Sequence, residues 1–255
     1  MTSVDIIIPV YNEERDLPRS VATLSQFLRD NLSGRTWRIV IADNGSTDGT
    51  LAIAQALSAR LPGVTCIHLP EKGRGRALRR AWLESDADIV SYMDVDLSTD
   101  LKAFPALVQA IEQGADIAVG SRLMRGSRVM RRPLKREITS RGYNILIKLL
   151  FWTRFSDAQC GFKALSRRAA QAILPVTKDL AWFLDSEILI IAEKNGLRIA
   201  DVPVTWVDDP DSRVKVMKTA WGDIKGLLRL RFGGIPRVAL PAAKPNPPTT
   251  SSGTP

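Results

Sequence analysis

Short apolar runs alternate with helical patterns along the first 120 residues, and this alternation constrains the fold more than any other feature. The runs predict strands at residues 4–10, 37–42, 64–68, 89–93 and 116–120. Nearly continuous apolar runs are typical of strands that are buried on both faces of a parallel sheet. The alternation therefore predicts an α/β fold with a doubly wound, mostly parallel sheet.

Polar loops follow three of these predicted strands, at residues 11–16, 43–49 and 94–99. Open α/β sheets bind their ligands at the edge formed by the carboxyl ends of the strands. We therefore expect the three loops to lie together and to form a binding site. The sequence contains neither an internal repeat nor a long linker, which favours a single domain.

Asp94-Val95-Asp96 is the strongest local signal for chemistry. Its two carboxylates follow a buried strand and can both reach one hard divalent cation. Mg²⁺ or Mn²⁺ prefers such oxygen ligands and usually shares them with substrate phosphates. A structural role is the alternative, since Asp-x-Asp is common, but it would leave two like charges close together without a counterion.

Other catalytic signatures are absent from the sequence. The first strand is followed by Tyr11-Asn12-Glu13-Glu14 and not by a Gly-x-Gly turn, and there is neither a Walker loop nor a Gly-x-Ser-x-Gly elbow. Two cysteines and one histidine exclude a cysteine zinc site and a histidine-rich metal site. The histidine, His68, is expected to be structural because it ends a short predicted strand.

The formal net charge of +9 is concentrated in three segments. Residues 72–80 hold five basic residues and no acid, 122–141 hold eight and one acid, and 213–237 hold seven and one acid. The segments predict a surface that meets several phosphates, with solvated loops as the alternative. Gly73-Arg74-Gly75 would place exposed amides beside cations, which suits a diphosphate. Nucleic acid is not expected as a partner, because no aromatic residues interleave with the basic ones.

Residues 136–155 are predicted to form a helix with dense apolar side chains next to basic ones. The pattern is typical of a helix lying in a membrane interface, with a buried core helix as the alternative. A basic amphipathic helix is predicted at 213–235, and the Pro/Ser/Thr-rich tail 241–255 is expected to be disordered. We expect neither a secretory signal peptide nor a transmembrane helix, because no long window is apolar and uncharged.

These motifs, in this order, resemble the inverting glycosyltransferases of family 2, which have the GT-A fold. The matching segments are 8–14 (IPVYNEE), 43–50 (DNGSTDGT), 72–77 (KGRGRA) and 94–96 (DVD). In the second half, 120–122 (GSR), 157–163 (DAQCGFK) and 182–187 (WFLDSE) look like the polyprenyl-phosphate glycosyltransferases. The QCGFK motif and residues 206–231 are more similar to the dolichyl-phosphate glucosyltransferases than to the mannosyltransferases. The resemblance covers residues 4–232 and implies one GT-A domain over residues 1–235.

The resemblance implies a role for each matched residue. The implied nucleotide-binding residues are Pro9, Tyr11, Glu13, Asp43, Asn44, Lys72, Gly75, Asp94 and Val95. Asp94 and Asp96 are the implied metal ligands, and Ser98 stands where some relatives have a further ligand, Gln. The implied catalytic residues are Arg122, Arg141 and Arg213 near the phosphates, and Asp185 on the acceptor side.

The implied reaction transfers glucose from UDP-glucose to a polyprenyl phosphate with inversion, giving a β-linked product, with Mg²⁺ or Mn²⁺ as cofactor. The acceptor phosphate is already anionic at neutral pH, so the reaction needs cations more than a general base. The implied location is peripheral, on the cytoplasmic face of a membrane, and a separate membrane-protein partner stays open. The alternatives are another donor such as GDP-mannose, a soluble or polysaccharide acceptor, and a non-catalytic binding protein.

Overall fold

The computed structural model describes residues 1–208 and 216–241. The strands are β1 (Ser3–Val10), β2 (Thr36–Asn44), β3 (Val64–Leu69), β4 (Ile89–Met93), β5 (Ile117–Ser121), β6 (Arg128–Met130), β7 (Phe162–Ser166), β8 (Ile199–Pro203) and β9 (Thr205–Val207). The helices are α1 (Leu17–Asn31), α2 (Thr50–Arg60), α3 (Arg74–Glu84), α4 (Phe104–Glu112), α5 (Leu134–Phe151), α6 (Arg167–Ile173), α7 (Leu184–Lys194) and α8 (Val216–Gly233). Arg213 and nearly all of the predicted tail lie outside the described residues.

The central sheet has seven strands in the order β3-β2-β1-β4-β7-β5-β8. All neighbouring strands pair in parallel except β7, which is antiparallel to both β4 and β5. The predicted mostly parallel α/β sheet is therefore confirmed. β6 and β9 form a separate small parallel sheet.

The apolar runs are continuous because helices cover both faces of the sheet. In β1, Ile7 packs into the core on one face, together with buried residues of α3, α6 and α7. Its neighbours Ile6 and Ile8 pack into the core on the other face, with buried residues of α1 and α4. This two-sided burial explains why these strands lack the alternation of polar and apolar residues that a half-exposed strand shows.

Strand β7 was not predicted from the sequence. It is only five residues long, and Lys163 interrupts its apolar pattern. The Lys163 side chain is 1% exposed, so the lysine is part of the interior and not a surface marker. A charged residue within a short run hides the strand from a pattern that expects apolar residues on both faces.

Helices α5 and α3 differ from the sequence prediction at residues close to the predicted site. Helix α5 ends at Phe151, four residues before the predicted end, because Trp152 adopts a left-handed backbone conformation with φ of 49°. Helix α3 begins at Arg74, so part of the predicted Gly-rich loop lies in its first turn. Over residues 1–208 and 216–241, we find no helix with both the length and the apolarity needed to cross a bilayer.

Candidate active site

Three polar loops meet at one edge of the sheet, as expected. They follow β1, β2 and β4, which are neighbours in the strand order, and all three strands run in the same direction. The predicted residues Pro9 in β1 and Asp43 in β2 lie side by side in this part of the sheet, because Pro9 pairs with Ala42 and Val10 pairs with Asp43. The topology thus places the predicted nucleotide-binding residues next to the Asp94-Val95-Asp96 motif after β4.

Hydrogen bonds join the loop after β1 to the loop after β2. The backbone N–H of Asn12 donates to Ser46 Oγ at 3.0 Å, and the N–H of Thr47 donates to Asn12 Oδ1 at 2.8 Å. The N–H of Glu13 donates to Thr50 Oγ1 at 2.8 Å. Asn12 has a left-handed φ of 57°, a conformation that Asn adopts more readily than most residues. The two loops therefore form one preorganised wall.

Asp43 is fully buried beneath this wall. Its Oδ2 lies 2.7 Å from Nδ1 of His68, which is opposite Asp43 in the pairing of β2 with β3. Within the described part of the chain, its Oδ1 has no hydrogen-bond partner. A buried acceptor without a partner is costly unless a ligand satisfies it. His68, which was expected to be structural, thus orients a predicted nucleotide-binding carboxylate.

Asn44 connects the three segments that surround the predicted nucleotide site. Its Nδ2 donates to the carbonyl oxygen of Val10 at 2.6 Å, and its Oδ1 accepts from the N–H of Gly73 at 3.1 Å. Lys72, which precedes Gly73, places its ammonium nitrogen 3.3 Å from the centroid of the Tyr11 ring. Asn44 therefore holds the loops by its side chain, while Lys72 and Tyr11 form a pair at the edge of the site.

Gly75 is buried in the first turn of α3 and not in an exposed loop, contrary to the prediction. A Cβ on Gly75 would be 2.8 Å from the carbonyl oxygen of Ala181. A Cβ on Gly73 would be 2.9 Å from the carbonyl oxygen of Leu180. The glycines are therefore required by the close packing of α3 against the segment that precedes α7, and this contact brings α7 to the site.

Asp94 and Asp96 lie where a metal ion could bind. The Asp94 side chain is about one-third exposed (32%), and Asp96 is exposed. Asp96 Oδ1 accepts from the N–H of Ser98 at 3.0 Å. Gly161 lies directly against Asp94, since a Cβ there would overlap Asp94 Oδ2. A narrow cleft beside the motif is lined by both carboxylates, Gly161 and Trp206.

The donor atoms of the cleft suit Mg²⁺ or Mn²⁺. Among the described residues there is no cluster of three or more His, Cys, Asp or Glu side chains that could hold a metal. The protein would thus supply the carboxylates of Asp94 and Asp96, and water and substrate phosphates would supply the remaining ligands, as is usual for Mg²⁺. Ser98, which stands at the sequence position where some relatives have a further ligand, is 8% exposed.

A network of two cations and two carboxylates extends from Asp94 into the interior. The guanidinium of Arg74 donates from Nη2 to Asp94 Oδ1 at 3.0 Å and from Nη1 to Asp185 Oδ2 at 2.8 Å. Asp185 Oδ1 accepts from Lys163 Nζ at 2.9 Å and from the hydroxyl of Tyr92. Both oxygens of Asp185 are therefore engaged by donors.

The network keeps Asp185 ionised in the interior. Burial favours its neutral form, but the charges of Lys163 and Arg74 outweigh burial and hold the pKa of Asp185 below its usual value. Burial and the nearby charge of Asp185 raise the pKa of Tyr92 well above its usual value. Asp185 is thus a carboxylate that is poorly suited to accept a further proton at neutral pH, whereas Tyr92 stays neutral.

Arg122 lies next to the cleft in a second buried ion pair. Its Nε donates to Asp157 Oδ2 at 2.8 Å and its Nη2 to Asp157 Oδ1 at 3.0 Å. The Arg122 side chain is 8% exposed, and its guanidinium carbon lies 4.9 Å from the ring centroid of Trp206. The Asp157 charge raises the pKa of Arg122 further above its usual value, although burial opposes this. Arg122 therefore carries a permanent charge, paired with Asp157, behind Trp206, which lines the cleft.

The structure does not bring Arg141 into this group. Arg141 is more than half exposed on α5 and pairs with Glu137, one turn earlier on the same helix, at 2.5 Å. Val95 is buried between the two carboxylates of the motif. Arg213 lies in the part of the chain that is not described. Of the predicted catalytic residues, Arg122 and Asp185 thus lie in the buried networks around the cleft.

The comparisons with known proteins identify the family. The model of glycosyl transferase family 2 matches residues 5–174. The chain belongs to this family.

Curated relatives in the family differ in the sugar that their names specify. The glycosyltransferase AglD of Haloferax volcanii is 36% identical over 228 residues, which cover 89% of this chain and 36% of that protein. A dolichyl-phosphate beta-glucosyltransferase, ALG5C of Trichomonas vaginalis, is 29% identical over 82% of this chain and 65% of its own length. The dolichol-phosphate mannosyltransferase of Pyrococcus furiosus is 31% identical over 80% of this chain and 56% of its own. The chain thus spans about one-third to two-thirds of these relatives.

A solved structure supports the fold. Glucosyl-3-phosphoglycerate synthase of Mycobacterium tuberculosis, in complex with Mn²⁺ and UDP-glucose, matches with a TM-score of 0.67 at 20% identity, over 91% of this chain and 80% of that one. The expected GT-A type of α/β fold is therefore confirmed for this family 2 chain.

No individual role was predicted for four charged or polar residues of this family 2 site, Arg74, Tyr92, Asp157 and Lys163, although all but Tyr92 lie in segments that match the family. Two of them carried a signal. Lys163 is a charged residue among apolar ones, and buried charges are nearly always paired. Arg74 lies between two glycines, which allow its backbone to approach a neighbouring segment. The pairings themselves could not be predicted, because they join residues that are far apart in the sequence.

Proposed function

We propose that this family 2 protein transfers a hexose, with glucose from UDP-glucose favoured, to a polyprenyl phosphate. The observation that carries the proposal is the Asp94-Val95-Asp96 motif at the carboxyl edge of the sheet, in a chain whose relatives include dolichyl-phosphate sugar transferases. The buried Asp43 Oδ1 supports a nucleotide at the same edge, because a ring N–H of the base would satisfy it.

The proposed mechanism is an in-line displacement at the anomeric carbon. A polyprenyl phosphate oxygen attacks, the bond to the nucleotide diphosphate breaks, and the configuration inverts to give a β-linked product from an α-linked donor. Asp94 and Asp96 would hold Mg²⁺ or Mn²⁺, which would neutralise the charge of the leaving diphosphate. Arg122, which lies against Trp206 beside the cleft, would help to offset the repulsion of two phosphates that approach each other there.

The engagement of Asp185 fits a reaction without a general base. Three donors occupy its oxygens, and the pKa of Asp185 is lowered, so it would be a poor proton acceptor. A phosphate nucleophile needs little deprotonation at neutral pH, in contrast to a sugar hydroxyl. The geometry thus favours a lipid phosphate over a soluble or polysaccharide hydroxyl as the acceptor.

We further propose that the protein acts at a membrane surface, peripherally and on the cytoplasmic face. Helix α5 has a row of exposed apolar side chains, and α8, which packs beside it, has another. The rows are Leu134, Ile138, Ile145, Leu149 and Trp152 on α5, and Trp221, Ile224, Leu228 and Phe232 on α8. Apolar rows flanked by Arg and Lys suit the boundary between headgroups and acyl chains.

Radiolabelled transfer tests the proposal. Purified protein with Mn²⁺ or Mg²⁺ is offered UDP-glucose, GDP-mannose and other sugar nucleotides, each with a polyprenyl phosphate or with a soluble sugar acceptor. We expect label in the organic phase with polyprenyl phosphate, and most with UDP-glucose. Most label from GDP-mannose would correct the donor, and label only on the soluble acceptor would correct the acceptor. Nucleotide binding without any product would contradict enzymatic function.

A further inference from the structure

Arg74 connects two parts of the site that are far apart in the sequence. It lies in the first turn of α3, and its side chain is 10% exposed. One guanidinium group bridges Asp94, after β4, and Asp185, at the start of α7. The guanidinium carbon also lies 4.8 Å from the ring centroid of Tyr92 and 4.9 Å from that of Trp182. The position of Arg74 is therefore fixed on several sides.

The bridge continues to the helix that has the exposed apolar row. Ser186, the neighbour of Asp185 on α7, lies with its Oγ 2.9 Å from the hydroxyl of Tyr143 on α5. A continuous set of contacts thus leads from the proposed metal ligand Asp94 through Arg74 to α7 and on to α5. If the membrane proposal is correct, the lipid phosphate reaches the cleft from this side.

The charges in the network are balanced. Arg74 and Lys163 carry two positive charges, and Asp94 and Asp185 carry two negative ones. The electrostatic environment of each carboxylate therefore depends on how closely Arg74 pairs with it. If Asp185 loses its charge, Arg74 pairs with Asp94 alone, and a guanidinium held on Asp94 competes with a metal ion for the same carboxylate.

We propose that Arg74 is a positioning residue that couples metal-dependent nucleotide binding at Asp94 to the acceptor side of the site at Asp185. The inference rests on the proposed function, since it assumes that Asp94 holds a metal ion that binds the diphosphate of the donor. It assigns to Arg74 the role of dividing its charge between two carboxylates. A change on either side then alters the affinity on the other.

The test is a double-mutant cycle on UDP binding, measured by calorimetry at a series of Mn²⁺ concentrations and without metal. We expect Asp185→Asn to raise the half-saturating Mn²⁺ concentration for UDP binding about 5- to 20-fold. In the Arg74→Lys background, Asp185→Asn should change it less than about 2-fold, because a lysine ammonium cannot bridge two carboxylates as a planar guanidinium does. Metal-free UDP binding should be nearly unaffected by Asp185→Asn.

Arg80→Lys is the matched control. Arg80 lies on the same helix, is 55% exposed and pairs with Glu84. It should leave the Mn²⁺ dependence unchanged. If Arg74→Lys does not fold, as judged by circular dichroism and melting, the Mn²⁺ dependence of Asp185→Asn alone still tests the coupling. Asn retains the size of the Asp side chain, so this variant is expected to fold.

These binding measurements distinguish failure of the coupling from failure of the proposed function. Wild-type protein that binds UDP with Mn²⁺, together with an Asp185→Asn variant of unchanged Mn²⁺ dependence, would overturn the coupling and leave the proposed function intact. An equal effect of Asp185→Asn with Arg74 and with Lys at position 74 would also overturn it. Wild-type protein that binds neither UDP nor GDP, with or without metal, would overturn the proposed function and the coupling with it.

Discussion

Most buried charges in this protein are paired, and the pairing limits what each residue can do. Asp157 is fully buried, and the charge of Arg122 lowers its pKa although burial opposes ionisation. The buried carboxyl group of Asp223 on α8 differs from that of Asp157. It is 3% exposed, and its carboxylate accepts a hydrogen bond from the amide of Gln159 at 3.0 Å. Burial and the charges of Asp179 and Asp185 raise the pKa of Asp223 to about 7.

Asp223 should make the stability of the protein depend on pH. Its pKa is higher in the folded state than the ordinary value of 3.8, so the folded state holds the proton more tightly. The stabilisation is therefore present at mildly acidic pH and is lost as the pH rises through about 7. Between pH 5 and 8, the free energy of unfolding of the wild type should fall by on the order of 2–3 kcal/mol relative to Asp223→Asn.

Denaturant unfolding of the two proteins at several pH values measures this difference. The Asn variant keeps an oxygen for the amide of Gln159 but cannot ionise, so its curve should lack the drop near neutral pH. Parallel curves for the wild type and the variant would show that Asp223 does not titrate in this range.

At the scale of elements, the most exposed large apolar side chains of the described residues, apart from Met1, lie on or at the end of α5 and α8. Trp152 is 80% exposed at the end of α5, and Phe232 is 82% exposed near the end of α8. The basic residues Lys148, Lys225 and Arg231 lie on the same two helices. The arrangement supports docking of the two helices onto a membrane with anionic headgroups.

Flotation with vesicles tests this surface. The double variant Leu149→Ser, Trp152→Ser should lower the fraction bound to vesicles that contain anionic phospholipid by about fivefold or more, because it removes apolar area from the interface. Its melting temperature should hardly change, since both side chains are exposed. Leu83→Ser, on α3 and 44% exposed, is the control and should bind as the wild type does. Equal binding of all three proteins would contradict docking through α5.

The elements show how far the sequence predicts this structure. The apolar runs predicted the parallel strands and their polar ends, because burial on both faces leaves a local pattern that can be seen without the fold. Asp94 and Asp96 were predicted because they follow such a strand, and Asp43 because it matches a nucleotide-binding position of the family that the sequence resembles. Strand β7 was not predicted, because it depends on the insertion of one strand between β4 and β5. The pairing of Arg74 with Asp185 was not predicted either, because it depends on the packing of α3 against the start of α7. No local pattern encodes these contacts.

At the scale of the whole molecule, the sheet edge and the two exposed helices provide the two binding regions of the proposed reaction. The loops after β1, β2 and β4 form the nucleotide side, and α5, α7 and α8 form the side where we place the lipid. Between the two sides lie the buried cations Arg74, Lys163 and Arg122. The strand order brings these cations together, each paired with a carboxylate, and a metal ion at Asp94 and Asp96 would add the positive charge that offsets the repulsion of two phosphates.

The most direct test of the account is the transfer of labelled glucose from UDP-glucose to a polyprenyl phosphate by Asp96→Asn, compared with Asp86→Asn. Asp86 is exposed and precedes β4, at the opposite end of the strand that Asp96 follows. We predict that Asp96→Asn lowers the metal-dependent rate by about 10²-fold or more, as expected when a metal ligand is lost, while Asp86→Asn stays within about twofold of the wild type. Full transfer activity in Asp96→Asn would contradict the account.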